Sequence, residues 1–209
     1  MSEREQQWIG WIRELQAISQ NGLVFTTNPF DIERYERLGE LAREMFASIG
    51  DAPLQKVENF FVPDEGYCTP KVDVRAGIFD NDRLLLVQER SDGKWTMPGG
   101  WADVNETPTE GVKREVLEES GYLVEDVELV AVIDRSAHAY TPHYPHHVYK
   151  LFFYGRPSGK SDSRQEHETT DAKFFDLSDL PDLSESRVLR QDIERLFDYH
   201  RKKCPVHVD

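Results

Sequence analysis

The chain has few cysteines, a deficit of basic residues and no long apolar run. Its 209 residues include only Cys68 and Cys204, which excludes the disulfide framework of a small secreted protein. The longest apolar stretches, 84–87 and 129–133, fall far short of the roughly 18 residues that cross a bilayer. The first residues are polar and partly acidic, which is untypical of a secretory signal. We therefore expect a cytoplasmic protein that does not engage a membrane.

Acidic residues dominate the charge. There are 39 Asp and Glu against 25 Lys and Arg, which gives a formal net charge of −14. Such a charge repels the phosphate backbone at long range, so non-specific binding to nucleic acid is not expected. Carboxylates do suit hard divalent cations, which bind oxygen ligands and reverse the local field. A small phosphorylated substrate is therefore compatible with this composition.

The first part of the chain has the apolar spacing of helices. Ser2 and Glu5 have the form of a capping box, and the apolar stripe after them ends at 20–22, where Gly22 predicts a stop. A second helix is predicted from Asn28 to Gly50. The turn-forming residues 63–66 then predict a domain boundary.

Beyond this boundary the apolar period changes from helical to strand-like. Asp73 and Arg75 alternate with apolar residues, which predicts a half-buried strand, and the turn 80–82 leads into its hairpin partner at 84–87. Further strands are predicted at 127–133, 147–154 and 172–175, and helices at 107–120 and 185–199. The pattern indicates an α+β fold.

The helix predicted at 107–120 carries the main chemical signal. Thr107 and Glu110 form a capping box, and Gly121 is placed to end the helix. Three carboxylates follow at i, i+3 and i+4, so they share one face: Glu115, Glu118 and Glu119. Like charges so close repel unless a cation lies among them.

Most glutamate-rich helix faces are simply solvated, and this is the alternative interpretation. The surroundings favour a metal site instead. The turn 97–100 lets backbone approach a ligand, Arg114 can orient the carboxylates, and Glu106 lies just before the helix.

Together these residues resemble the Nudix box, G-x5-E-x7-R-E-U-x-E-E-x-G-U, in which U is a bulky apolar residue. The matching positions are Gly100, Glu106, Arg114, Glu115, Val116, Glu118, Glu119 and Gly121, with Tyr122 at the last U. The resemblance implies the Nudix fold, a mixed β-sheet between helices, for about 71–175.

The resemblance also implies roles for individual residues. Glu115, Glu118 and Glu119 would bind Mg²⁺ or Mn²⁺ with the carbonyl of Gly99, and would form the catalytic group with Arg114. Gly100 and Glu106 would support the site. The general base stays open: some Nudix members use a carboxylate of the box, here Glu115 or Glu119, and others a glutamate from a later loop, here Glu166 or Glu168.

The N-terminal part resembles the helical domain that precedes a subgroup of bacterial Nudix enzymes, including CDP-choline pyrophosphatases. The resemblance covers about 5–61 and implies a homodimer, with a helical domain at 1–63 and a Nudix domain at 67–204. The alternative is a plain helical cap in which Trp8, Trp11 and Tyr35 belong to the core, and for these aromatics singly we expect core positions.

Five residues outside the box are candidates for substrate binding: Arg75, Arg90, Trp101, His143 and His146. Each has a plainer alternative, since the arginines can form surface ion pairs and the tryptophan can cover the core. The histidines lack the spacing of a structural zinc site and are expected in a loop at the rim of the active site.

The resemblance implies metal-dependent hydrolysis of a nucleoside diphosphate linked to a moiety X, such as CDP-choline or ADP-ribose. The products would be a nucleoside monophosphate and phosphorylated X. Two other functions stay open. One is hydrolysis at RNA ends or by an exonuclease, and the other is a non-catalytic module that senses a nucleotide.

Overall fold

The computed structural model describes residues 3–50, 66–161, 164–165 and 167–209. Ser2 of the predicted capping box, most of the predicted boundary at 63–66 and Glu166 lie outside these residues. In chain order the elements are α1 (Glu3–Phe25), α2 (Pro29–Gly50), β1 (Lys71–Asp80), β2 (Arg83–Glu89), β3 (Trp95–Thr96), α3 (Pro108–Ser120), β4 (Tyr122–Asp134), β5 (Val148–Lys160), β6 (Thr169–Phe175), α4 (Arg190–Lys202) and β7 (His207–Val208).

These elements form two compact units. One unit comprises the chain before Lys71 together with Tyr144–His147, and the other comprises 71–143 and 148–209. We call them the helical unit and the sheet unit. None of the helices in the described ranges is long and apolar enough to span a membrane.

In the helical unit, α1 and α2 make close contact. Ser19 donates a hydrogen bond from its hydroxyl to the carbonyl of Tyr35 at 2.6 Å, and a Cβ on Gly22 would lie 2.4 Å from the Tyr35 ring. The predicted helix end at Gly22 is wrong, because α1 continues to Phe25. Glycine is needed there for the approach of the ring rather than for a turn.

Two of the three N-terminal aromatics are not core residues. Trp8 is 38% exposed and Trp11 is 45% exposed, so the expectation that they are buried is wrong. Their rings meet edge to face with centroids 5.2 Å apart. Tyr35 is partly buried. Other large apolar residues of the same two helices are also exposed: Ile18, Leu23, Val24, Phe25, Phe30 and Leu41.

The sheet unit is built on a mixed β-sheet. β5 pairs in parallel with β1 and antiparallel with β4, and β7 pairs in parallel with β4. β1 pairs with β2 only beside their turn, at Phe79 with Leu84 and at Asp80 with Arg83. Farther along its length, β2 pairs antiparallel with β3 and β6. The predicted hairpin is confirmed, with Asn81 in the left-handed conformation at φ 56°.

Helices cover both faces of this sheet. On one face, Val112 and Val116 of α3 pack with Val74 and Ala76 of β1. On the other, residues of α4, including Ile193, pack into a larger apolar cluster. The sequence predicted a helical region followed by a mixed sheet between helices, and this fold class is confirmed.

Two predictions about individual elements need correction. The prediction of a half-buried β1 is wrong, because Asp73 and Arg75 are both buried along with their apolar neighbours. The last helix begins at Arg190 rather than at residue 185. It starts there because the Asp192 carboxylate accepts a hydrogen bond from the backbone N–H of Leu189 at 2.8 Å and closes the first turn.

Candidate active site

Helix α3 is held firmly at both ends. Thr107 accepts a hydrogen bond at its hydroxyl from the backbone N–H of Glu110 at 3.3 Å, and the Glu110 carboxylate accepts one from the N–H of Thr107 at 2.8 Å. Gly121 adopts the left-handed conformation, and its N–H donates to the carbonyl of Leu117 at 2.8 Å. The predicted caps are confirmed, and they set the direction in which the carboxylates of the box project.

Arg114 gathers three carboxylates of the box. It donates from Nε and Nη2 to the two oxygens of Glu106 at 3.0 and 2.8 Å. From Nη1 it donates to Glu115 Oε1 at 2.8 Å and to Glu118 Oε2 at 3.2 Å. The hydrogen bonds from Arg114 are the main reason that the pKa of Glu106 is lowered to about 2. Arg114 thereby fixes the start of α3 to the side chains of its middle turns.

Glu119 lies one turn after Glu115 on the same face of α3 and meets the loop before the helix. It is 5% exposed, and its Oε2 accepts a hydrogen bond from the backbone N–H of Gly99 at 2.9 Å. Burial is the largest cause that raises the pKa of Glu119 to about 8, and the charges of Glu115 and Glu89 add to it. Burial also raises the pKa of Glu115. Two carboxylates of the box are therefore desolvated and close to other negative charges.

The loop that carries Gly99 runs along the edge of β1. Gly99 has φ 141°, and a Cβ there would lie 2.0 Å from the carbonyl oxygen of Val74. A Cβ on Gly100 would lie 3.0 Å from Glu115 Oε1. Only glycine fits at position 99, whereas a Cβ at position 100 would require the Glu115 carboxylate to shift slightly. The backbone hydrogen bonds that join the loop to β1 run from Val74 N to Gly100 O (2.8 Å), from Ala76 N to Pro98 O (2.8 Å) and from Ala102 N to Val72 O (2.9 Å).

Arg75 lies buried beneath this loop and does not form the surface ion pair that was its alternative. It donates from Nε and Nη2 to both oxygens of Asp73 at 3.0 and 2.9 Å, and from Nη1 to the carbonyl of Met97 at 3.2 Å. Lys150 donates to the same Asp73 carboxylate at 2.6 Å. The expectation that Arg75 holds substrate phosphate needs correction, because its guanidinium is buried and bonded within the protein.

The segment before β6 covers the C-terminal end of α3. The backbone N–H of Gln165 donates to the carbonyl of Glu118 at 2.7 Å. The Glu119 carbonyl accepts from the Thr169 hydroxyl at 2.8 Å and from Arg164 Nε at 3.1 Å. These bonds satisfy carbonyls that a helix end leaves unpaired.

Glu168, one candidate general base, is exposed in this same segment. Its carbonyl accepts a hydrogen bond from the backbone N–H of Arg90 at 2.8 Å. Its charge contributes to the raised pKa of Glu89, for which burial is the main cause. Glu168 thus lies beside the end of β2, close enough to the buried Glu89 to affect its pKa.

The remaining candidates for substrate binding are Trp101, Arg90, His143 and His146. Trp101 is 47% exposed, and its backbone bridges to Asp73 beside the glycine loop. Arg90 is exposed at the end of β2. His143 and His146 lie in the chain segment that connects β4 to β5, and both are partly buried. His143 belongs to the sheet unit and His146 to the helical unit. None of these four takes part in the contacts described above among the carboxylates, Arg114 and Arg75.

Reasoning from the sequence missed several charged residues near the site. Asp73 and Lys150 are buried, and so is Glu89, which pairs with Arg187 at 2.9 Å. Although burial opposes it, the charges of Arg75 and Lys150 lower the pKa of Asp73. The only signal in the sequence was a charged residue within an apolar strand, and the partners are too far apart along the chain for the pairs to be predicted.

The oxygen donors fit a hard divalent cation. Within the described ranges, no three acidic, histidine or cysteine side chains already stand in metal-ligand geometry, and Arg114 instead bonds oxygens of Glu115 and Glu118. The donor chemistry nevertheless suits Mg²⁺ or Mn²⁺, since the box offers carboxylate oxygens, which hard divalent cations prefer. The raised pKa values of Glu115 and Glu119 have the sign that a nearby cation would offset.

Comparison with known families decides the identity of this arrangement. A family model described as the NUDIX domain matches residues 69–196. The chain belongs to the Nudix family. A second model, described as the UDP-X-like, N-terminal oligomerisation domain, matches residues 6–61 ahead of the Nudix domain.

Individual relatives agree with this assignment over the whole chain. The chain is 36% identical over 203 residues to the "Putative ADP-ribose pyrophosphatase YjhB" of Bacillus subtilis (strain 168), with 96% of each chain covered. It is similar to the crystal structure of a UDP-X diphosphatase, with 31% identity, a TM-score of 0.62, and 98% and 99% of the two chains covered. An ADP-ribose pyrophosphatase structure from Streptococcus suis 89-1591 is 36% identical with a TM-score of 0.60, over 68% of this chain and 100% of that one. The protein is a Nudix pyrophosphohydrolase.

Proposed function

We propose that the protein hydrolyses the diphosphate bond of a nucleoside diphosphate linked to a moiety X and releases a nucleoside monophosphate and phosphorylated X. The observation that carries the proposal is the position of Glu119, which is buried and bonded to the Gly99 N–H beside Glu115 and Glu118. The choice of substrate class is supported by relatives that are named for ADP-ribose and UDP-X. CDP-choline is a further substrate to test.

In this proposal Glu115, Glu118 and Glu119 hold Mg²⁺ or Mn²⁺, together with the carbonyl of Gly99. When bound, such a cation neutralises phosphate charge and lowers the pKa of a water molecule. The protein supplies the orientation. Arg114 fixes Glu115 and Glu118 by hydrogen bonds, and hydrogen bonds to metal ligands hold those ligands in the orientation that binding requires.

All four glutamates named from the sequence remain candidates for the group that accepts the proton of the attacking water, and Glu166 lies outside the described residues. Glu115 and Glu168 represent the two alternatives, a carboxylate of the box and one from the later loop. Glu115 is buried, with a raised pKa, and is already bonded to Arg114. Glu168 is exposed at the end of β2 and is free of that restraint. We propose to separate them with Glu168→Gln. A loss of kcat with unchanged Mn²⁺ affinity assigns the role to Glu168, whereas unchanged kcat leaves it with the box.

We also propose that the protein is a homodimer formed through a helical domain at 1–63, with a Nudix domain at 67–204. The matching family model is described as an oligomerisation domain. Trp8, Trp11 and Phe25 are exposed on the helices of this unit. Exposed aromatics of this size are typical of protein interfaces.

The experiment that tests the function is a panel of substrates with Mg²⁺ and with Mn²⁺. ADP-ribose, a UDP-linked sugar and CDP-choline test the proposal, and a short RNA with a 5′-triphosphate tests the alternative of RNA-end hydrolysis, which the net charge of −14 opposes. Mass spectrometry identifies the products. Tight nucleotide binding without turnover would indicate a sensor instead, and Glu119→Gln serves as the matched inactive control.

A further inference from the structure

The loop Met97–Gly100 is held by three sets of contacts with other elements, in addition to the hydrogen bond that the hydroxyl of the adjacent Thr96 donates to the Met97 carbonyl at 3.3 Å. Two of the three sets belong to the Nudix box or to strand pairing. The first is the set of backbone hydrogen bonds to β1. The second is the bond from the Gly99 N–H to Glu119. The third is the bond from Arg75 to the carbonyl of Met97 at 3.2 Å, made by a buried side chain.

We propose that Arg75 is a positioning residue that holds the Gly99 loop in place for cation binding, and that Asp73, backed by Lys150, holds Arg75. This inference rests on the proposed function, because it assigns the Gly99 carbonyl to the metal site. Arg75 acts through the hydrogen bonds that its guanidinium makes and not through its charge alone. Arg75 contacts neither the reacting atoms nor the cation and acts through the loop.

The geometry of the guanidinium carries the inference. Two of its nitrogens are taken by the two oxygens of Asp73 in a bidentate pair, which fixes the plane of the group. This orientation directs Nη1 to Met97. Gly99 in turn rests on the backbone of the same residue, since a Cβ on Gly99 would lie 2.9 Å from the Arg75 Cα. Side chain and main chain of Arg75 therefore touch the loop at two points.

Lys150 completes the arrangement from the neighbouring strand. It stands directly opposite Asp73 in the register of β1 with β5 and donates to Asp73 Oδ1 at 2.6 Å. All three charged side chains are more than nine-tenths buried. Buried ion pairs contribute little net stability but fix a unique geometry in some proteins. A role in positioning would explain charges that an apolar core does not need.

A test must separate geometry from charge, and two substitutions at one position do so. Arg75→Lys keeps the charge but cannot hold both Asp73 oxygens and Met97 together. Arg75→Met removes the charge as well. The control is Arg135→Gln, because Arg135 is equally buried but donates to the carbonyls of Pro142 and Ser186 away from the loop. If the Arg75 variants fail to fold, Asp73→Asn tests the same anchor, because it weakens the pair that orients the Arg75 guanidinium. The same loss of Mn²⁺ affinity is then expected.

Two readouts on the full-length protein need no substrate. Mn²⁺ affinity is measured by electron paramagnetic resonance, and exchange of the Gly99 amide hydrogen is measured without metal. We expect Arg75→Lys and Arg75→Met to bind Mn²⁺ about ten-fold or more weakly and to exchange the Gly99 amide faster, with the α3 amides unchanged. Arg135→Gln should lower the melting temperature and keep wild-type Mn²⁺ affinity.

The outcomes distinguish this inference from the proposed function. If the wild-type protein binds no Mn²⁺, the proposed function fails, and the exchange of Gly99 still tests the anchor. If the wild type binds Mn²⁺ and Arg75→Lys binds it equally well, charge alone matters and the inference is overturned. Tighter Mn²⁺ binding by Arg75→Met would overturn it as well, because Arg75 would then only repel the cation.

Discussion

Glu119 accepts a hydrogen bond from the backbone N–H of Gly99, twenty residues before it in the chain. The bond joins the last turn of α3 to the loop beside β1, and it is made by a carboxylate that is 5% exposed. One oxygen of Glu119 is therefore committed to the loop, and the other is available to the site. Glu119 therefore has a structural role, as the acceptor that holds the loop, and a proposed role as a metal ligand. A substitution that keeps the first role and removes the second can separate them.

Glu119→Gln is expected to retain the fold and lose activity by orders of magnitude, since the amide oxygen still accepts from Gly99 but carries no charge for a cation. The melting temperature without metal should be equal to or higher than that of the wild type, because a buried charge is removed. Added Mn²⁺ should raise the melting temperature of the wild type and not of the variant.

Glu125→Gln, on the exposed part of β4, is the matched control and should respond to Mn²⁺ like the wild type. Wild-type turnover by Glu119→Gln at the same Mn²⁺ concentration would contradict the assignment of this residue.

Arg114 and Glu106 are expected to act as one unit. Each of Arg114→Lys and Glu106→Gln breaks the bidentate pair at 2.8 and 3.0 Å, so each should lower kcat about ten-fold or more by releasing Glu115 and Glu118. Because the residues are in direct contact, the double variant should lose little more than either single variant. Additive losses in this double-mutant cycle, measured as kcat/KM, would show that the two residues act independently.

The Glu106 carboxylate predicts a specific dependence of stability on pH. Its pKa falls from 4.5 in the unfolded chain to about 2 in the folded protein, chiefly through hydrogen bonds from Arg114. A lowered pKa stabilises the fold above the unfolded value, and this stabilisation is lost as the pH falls through the folded value. The difference in urea midpoint between the wild type and Glu106→Gln should therefore be constant from pH 7 to 5 and shrink below about 4.5.

That shrinkage has its own control. Glu125→Gln, on the exposed part of β4, is the control, and its difference from the wild type should stay small and constant over the same pH range. A difference in urea midpoint between the wild type and Glu106→Gln that grows as the pH falls would contradict a carboxylate stabilised by Arg114.

The proposed dimer predicts a mass of about twice 24.3 kDa in light scattering. Trp11→Asp places a charge on the exposed apolar surface of α1 and should give a monomer with an unchanged melting profile for the sheet unit. Arg156→Gln, an exposed residue of the sheet unit, should stay dimeric. A wild-type protein that is monomeric at micromolar concentration would exclude this interface.

Local signals explain what the sequence predicted. The caps of α3, the spacing of its carboxylates and the turn at Asn81 are all encoded within a few residues, and the structure confirms each of these local elements. What failed depends on distant partners. Gly22 continues its helix because Tyr35 packs on it, and Asp73 is buried because Lys150, far along the chain, is its partner. No periodicity within β1 distinguishes such a pair from a solvated face.

The position of the carboxylates along α3 has a consequence for stability. Glu115, Glu118 and Glu119 lie in the second half of a helix of 13 residues whose last turn contains no basic residue. The C-terminal end of a helix carries the negative pole of its dipole, so acidic side chains there oppose the field of the backbone. The dipole and the three carboxylates therefore contribute negative potential of the same sign, which the guanidinium groups of Arg114 and Arg164 oppose. A cation in the proposed site would relieve an interaction that otherwise lowers the stability of this helix.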